Sequence, residues 1–312
     1  MFRTLSRSLA ALALCCPVLA AAQAPVPQPA AEAARKKTKA PSSQPWRQRS
    51  FEAPPLYQTT VHGQPVPHDD QLIGDYAQPR WAARRRFPTT RVYVRPRGSL
   101  GVEYWLESKF NLRDSAEQRY RSQYEFEMGL GHRLQLDFYL TTEQQGFSGP
   151  LLLASEKLEL RYALADWGVL PANPTIYLEW VHQHEGPQKL ECKLLFGGQL
   201  VPRLFWGANL VYEQELAGEY EKELALTAAI ARTVVDERFS VGIEVKGEMV
   251  DKEGDAFPAS HEVLAGPSLQ WIPVPAVHLD LVLLFGFESE RGSDGRSTVP
   301  LAEPMLVIGY EI

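Results

Sequence analysis

Ser268, His278 and Asp280 are the residue types of a nucleophile, a general base and an orienting carboxylate. His278 and Asp280 are two residues apart, so on a strand they share one face. Acyl transfer would also need a nucleophile motif and an oxyanion hole, and neither is legible. Hydrogen bonding along a polar face is the reading of this set. His182-Gln183-His184 places two imidazoles at the same spacing. A metal site would want further carboxylates or histidines beside them, so the pair reads as interfacial. Gly197-Gly198 is followed by neither a phosphate-loop lysine nor a helix, and reads as a bend or bulge. No catalytic residue, metal site or cofactor is therefore expected.

The elements that carry these residues are strands. In "KLECKLLFGGQLVPRLFWGANLVYEQEL" the apolar Leu190, Cys192, Leu194 and Phe196 alternate with Lys189, Glu191 and Lys193. The beat resumes after Val201-Pro202-Arg203 with Leu204, Trp206, Ala208, Leu210 and Tyr212. Period two means one apolar and one polar face. Twelve such runs follow Leu100: 100–110, 122–130, 133–142, 156–164, 175–184, 188–198, 204–214, 219–232, 238–249, 262–272, 276–286 and 303–312. Most are about nine to eleven residues, the length that crosses a bilayer with tilt. "EKELALTAAIART" has helical propensity, but Leu224, Leu226, Ala228 and Ile230 also fit period two. The connections tend to alternate between tight turns (131–132, 201–203, 273–275) and long polar links (143–155, 250–261, 287–302). The link "DWGVLPANP" is longer than that alternation allows.

The ends differ from the middle. Arg3 and Arg7 precede an apolar run from Leu9 to Leu19 and then Ala20-Ala21-Ala22, a secretory signal over residues 1–22. Residues 23–97 are rich in Pro, Ala and Arg and carry a balance of +8, while residues 98–312 carry −16. A largely disordered basic arm over 23–97 and a β domain over 98–312 are expected. In the arm, Trp81, Arg84, Arg85, Arg86 and Phe87 combine charge with aromatic surface.

The polar face is heavily charged. Glu125, Glu127, Asp137, Arg161, Glu179, Glu191, Lys193, Glu223, Glu244, Lys246 and Asp280 fall on it, and acids outnumber bases. A closed sheet of twelve strands is too wide for side chains to fill as a dry core. So the apolar face is expected to meet lipid and the charged face to line a lumen. A soluble β-sandwich or lipocalin-like barrel shares the alternation. Within the lumen, Leu264, Val282, Leu284, Met305 and Val307 form an apolar sector on which aromatic residues of the arm could rest.

"EPMLVIGYEI" puts Leu306, Ile308, Tyr310 and Ile312 on one face. It resembles the terminal strand of bacterial outer-membrane β-barrels, with Ile312 where that family has Phe or Trp. The resemblance implies an all-β, antiparallel up-and-down, porin-like transmembrane barrel in a Gram-negative outer membrane. It also implies outer-membrane lipid and the barrel-assembly machinery as partners. The expected function is a channel or transporter with an acidic lumen for small polar or cationic solutes, with the arm in the periplasm. A non-conducting barrel that binds periplasmic partners or lipid through its arm is the alternative, and a membrane enzyme is a third. No nucleic-acid partner is expected. Trp81, Arg84, Arg85, Arg86 and Phe87 are expected to plug the opening beside the chain ends, with the Arg35–Lys39 cluster mobile.

Overall fold

The computed structural model describes residues 68–114, 118–236, 238–252, 258–292 and 295–312. The signal segment, the Arg35–Lys39 cluster and Ser293 lie outside the described residues. A short ribbon comes first, β1 (Leu72–Ile73) with β2 (Gln78–Pro79), followed by a 3-10 turn at Arg80–Ala82. Twelve long strands follow: β3 (Leu100–Asn111), β4 (Gln118–Gly131), β5 (Leu134–Gln145), β6 (Leu152–Ala163), β7 (Thr175–Gln183) and β8 (Lys189–Val201) in the first half. The second half is β9 (Leu204–Glu215), β10 (Lys222–Val235), β11 (Phe239–Asp251), β12 (Ser260–Val274), β13 (Val277–Gly292) and β14 (Gly295–Glu311).

Each strand pairs antiparallel with its sequence neighbours, and β14 closes onto β3 with Leu306 opposite Leu106. Closure leaves no sheet edge, the condition for a backbone to satisfy its hydrogen bonds inside lipid. The pleat then sorts the side chains. Phe126, Met128, Phe138, Leu160, Leu178, Leu194 and Ile243 are exposed on the outside, while Glu125, Glu127, Asp137, Glu159, Arg161 and Glu179 are buried inside. Trp180, Tyr162, Trp271 and Tyr310 stand on the outer face near strand ends, where interfacial aromatics belong.

Every expected run is a strand, including the helix-prone stretch, which forms β10. The boundaries differ where the alternation stops reporting. The link expected over 287–302 is instead a hairpin, with Glu288 opposite Val299 and Glu290 opposite Ser297. Likewise β5 runs to Gln145 and β6 begins at Leu152 inside the expected 143–155 link. Beyond the apolar belt both faces of a strand are wet, so pairing continues without a period-two signal. Conversely, β10 starts at Lys222 rather than 219, because Tyr220 sits at φ +51° in the preceding turn. Gly197 and Gly198 are not at the irregularity of β8, which falls between Gln199 and Val201.

Both chain ends of the barrel lie at one rim, where Leu100 and Ile312 exchange backbone hydrogen bonds. This terminal rim carries the tight turns 132–133, 202–203 and 275–276, and also the longer link 164–174.

Leu194→Arg or Leu210→Arg places a charge on the outer belt and should cost about 2–4 kcal/mol at mid-depth. Lys193→Leu, one residue from Leu194 and facing inward, should cost much less. Urea unfolding in lipid vesicles measures this, and equal losses would contradict the lipid-facing assignment.

Candidate functional site

The described residues from 68 onward belong to one compact unit with the barrel, upstream of the expected domain boundary at Gly98. Residues 68–97 run through the half of the lumen near the terminal rim, and their arginines meet the inward carboxylates. Arg85 Nε donates to Glu103 (2.7 Å) and its NH2 to Glu125 (3.1 Å). Arg91 reaches Glu103 (3.4 Å), Glu125 and Glu127 (3.0 Å). Arg95 bonds Glu127 (2.7 Å) and Glu311. The Arg85 guanidinium also stacks 3.8 Å from the centre of the Trp105 ring. Glu103, Glu125, Glu127 and Arg85 are almost wholly buried. Unpaired charges there would be very costly, so each guanidinium is matched to two or three acids.

Backbone groups of the segment are clamped as well. Asn209 accepts from the Arg91 N–H (2.9 Å) and donates to its carbonyl (2.6 Å). Glu244 accepts from the Thr89 N–H (2.9 Å), and Gln135 from the Arg95 N–H (2.7 Å). Gln270 donates to the Arg85 carbonyl (2.7 Å).

The aromatic residues of the segment provide the second anchor. Trp81, Phe87 and Tyr93 are buried in one cluster with Phe205, Ala163, Ala229 and Ala231. Trp81 stacks on Phe205 at 4.6 Å and meets Trp167 edge-on at 5.4 Å. Trp167 belongs to the long 164–174 link, and Tyr93 donates to the Ala165 carbonyl (2.6 Å). That link is long because it folds over the segment. The aromatics do not rest on the apolar sector of β12–β14. Leu264, Val282, Leu284, Met305 and Val307 pack with Leu301 and under Trp105 of β3 instead. The floor of the segment's groove is glycine. A Cβ at Gly197 would stand 2.3 Å from Val92, and one at Gly129 would stand 1.9 Å from the Pro96 carbonyl oxygen. These lumen-facing glycines were the missed sequence signal, because bulkier residues there would exclude the segment.

The other inward residues fall into two groups. Arg161 joins Asp137 (2.8 Å) and Glu159 below Arg91. Asp280 accepts from Gln270 (2.7 Å) and contacts His278 Nδ1 (2.6 Å). Farther from the terminal rim, Glu179 pairs with Lys157 (3.2 Å), Glu191 with Lys193 (2.8 Å), and Lys246 with Glu262 (3.1 Å) and Glu303 (3.5 Å). Glu223 stands opposite Glu213 in the register. Arg86 contacts Asp69 (2.8 Å) and Ser240, and Arg84 reaches the Pro275 carbonyl (3.5 Å) at the rim. Ser268 is not joined to His278. It pairs in register with Gly242 and Val282, while the imidazole turns to Asp280 and lies 3.6 Å from Glu103 and Glu311.

Beyond the segment a cavity of about 860 Å³ remains. It runs from Arg85, Pro88, Thr89 and Arg91 at its floor to Gln145, Pro150 and Glu185 at the opposite rim. Ten Lys/Arg and eight Glu line it, including Glu191, Lys193, Glu223 and Lys246.

No protein-family model matches the sequence, and no curated protein matches it. Solved structures similar to it include an outer membrane channel from Pseudomonas putida F1, at 12% identity and TM-score 0.49, covering 71% of this chain and 98% of that one. The NanC porin is similar at 7% identity and TM-score 0.46, over 67% and 98% of the two chains. The outer membrane channel DcaP of Acinetobacter baumannii is similar at 10% identity and TM-score 0.36, over 69% and 98%. What decides the class is the closed sheet with lipid-type residues outside and ionised residues inside. The chain folds as a closed β-barrel of the outer-membrane type. Its architecture is channel-like, with a lumen occupied in part by its own N-terminal segment.

Asp69 anchors the start of that segment. Burial pushes its carboxyl up, but the Arg86 guanidinium and a hydrogen bond from Thr233 offset this and hold it below its ordinary value of 3.8. A lowered folded value stabilises docking above pH 3.8 and loses that contribution as pH falls through the lowered value. Proteolysis of residues 68–97 should therefore stay slow at pH 5 and accelerate only below about pH 4. Asp69→Asn should be cut faster at pH 5 and show a smaller further change on acidification. An unchanged acid response in that variant would contradict the anchoring role.

Proposed function

We propose that the protein is an outer-membrane channel closed from the periplasmic side by its own N-terminal segment, passing small polar or cationic solutes when the segment shifts. The observation that carries this is the floor of the cavity. The inner end of the vestibule is lined by Arg85, Pro88, Thr89 and Arg91, residues of the segment. Tight turns at the terminal rim support a periplasmic position for that rim, since outer-membrane barrels keep short turns on that side.

Charge distinguishes the two states. With the segment docked, the vestibule lining carries ten basic and eight acidic residues, so it suits solutes bearing both signs or none. The acidic excess sits deeper, at Glu103, Glu125, Glu127 and Glu311, and is met by Arg85, Arg91 and Arg95. Once those guanidinium groups leave, a cluster of carboxylates on one side of the wall faces the pathway and favours cations. A second reading, a non-conducting barrel that presents a bound segment, draws support from how completely Arg85 is buried, at 2% exposed.

Planar-bilayer recording separates them. The triple variant Arg85→Gln/Arg91→Gln/Arg95→Gln should conduct more often than the native chain and select cations. Adding Glu125→Gln and Glu127→Gln should reduce that selectivity. If the triple variant folds and conducts no better than the native protein, the closed-channel reading fails and the non-conducting one replaces it.

A further inference from the structure

Glu156 of β6 and His182 of β7 stand directly opposite each other in the antiparallel register. Both lie on the outer face, in line with the exposed Leu158 and Trp180, near the rim opposite the chain ends. His184 follows the last residue of β7, and its backbone N–H donates to the Ala154 carbonyl (2.9 Å). That bond brings its Nε2 to 2.9 Å from Glu156 Oε2. The two imidazole rings meet edge-on at 5.5 Å between centres. One donor atom from each of the three residues lies within 4.8 Å of the other two.

Those separations suit a metal ion. Ligands at about 2.0–2.1 Å from a tetrahedral zinc stand roughly 3.3 Å apart, so small side-chain rotations close this set. Around the set, Trp180 Nε1 donates to Gln188 Oε1 (3.0 Å), and the Gln188 side chain lies 3.4 Å from His182 Nδ1. Two nitrogens and one carboxylate oxygen suit Zn²⁺, Cu²⁺ or Ni²⁺, whereas Ca²⁺ and Mg²⁺ prefer all-oxygen shells. Three protein ligands leave a coordination position for water or a solute group. His184 also lines the vestibule, which puts that open position at its mouth.

We propose that Glu156, His182 and His184 form a binding site for a divalent transition-metal ion at the outer mouth of the barrel. A plain ion pair between His184 and Glu156 is the competing account. It requires a protonated imidazole and gives no role to His182.

The test uses the full-length protein without a histidine tag, folded in detergent micelles. Zn²⁺ is titrated by calorimetry at pH 7.5, and Cu²⁺ by quenching of tryptophan fluorescence, since the Trp180 ring lies 5.9 Å from that of His182. One ion per chain should bind in the micromolar range or tighter. Affinity should fall as pH drops from 7.5, because protons compete with the metal for the ligands. His182→Gln, His184→Gln and Glu156→Gln should each weaken binding at least tenfold. All three positions are near the rim opposite the chain ends, and circular dichroism checks that each variant is folded. Absence of saturable binding, or binding unchanged in folded His182→Gln and Glu156→Gln, overturns the proposal in favour of the ion pair.

Discussion

Charge neutrality inside the lumen is the constraint on which the rest of the molecule depends. Glu103, Glu125, Glu127, Asp137 and Glu159 crowd one sector of the wall formed by β3–β6, and all are buried. From the wall, Arg161 contacts Asp137, Glu159 and Glu125, and His278 lies 3.6 Å from Glu103. Arg85, Arg91 and Arg95 of the N-terminal segment supply the missing positive charge. Breaking one partner out of a buried pair typically costs about 3–5 kcal/mol, so barrel and segment specify each other. Other features serve the same docking: glycine at 129, 197 and 207 makes room for the segment, and Trp167 of the long terminal-rim link covers its aromatic side.

The barrel itself was largely legible from the sequence, because lipid outside and water inside impose the same alternation on every strand. Legibility ends where that boundary condition ends. Past the apolar belt, Glu288–Glu290 and Ser297–Val299 pair as strands although neither face is apolar. Tyr220 looked like a strand residue by type, but its left-handed φ belongs to the turn. The segment was half legible. Trp81, Phe87 and Tyr93 stand out among the arginines of the stretch, yet Arg91 and Arg95, outside the Arg84–Phe87 run, make ion pairs as extensive. Its aromatic docking site is assembled from Ala163, Phe205, Ala229 and Ala231 on three different strands, and no local pattern shows that convergence. The same blindness hid Glu156 from the His182–His184 pair, because cross-strand neighbours follow from register and not from spacing.

The lumen is thus divided by the segment into two regions of different electrostatic character. Near the terminal rim, acids and guanidinium groups pair in a nearly dry environment, where Coulombic attraction is strong. Toward the opposite rim, lysines and glutamates line a wet vestibule in which pairs such as Lys193–Glu191 remain partly exposed. Motion of the segment would join the two and change both the width and the sign of the path, so one displacement sets conductance and selectivity together.

The central claim is that the docked segment closes the lumen, and locking it in place tests this most directly. Thr90 of the segment donates to Thr227 of β10 across 3.0 Å, so Thr90→Cys/Thr227→Cys with Cys192→Ser places two thiols within bonding reach. In single-channel recording the oxidised protein should stay closed, and reduction should restore openings to the native frequency. Openings that persist undiminished in fully cross-linked protein would show that ions pass without moving the segment, and would contradict the account.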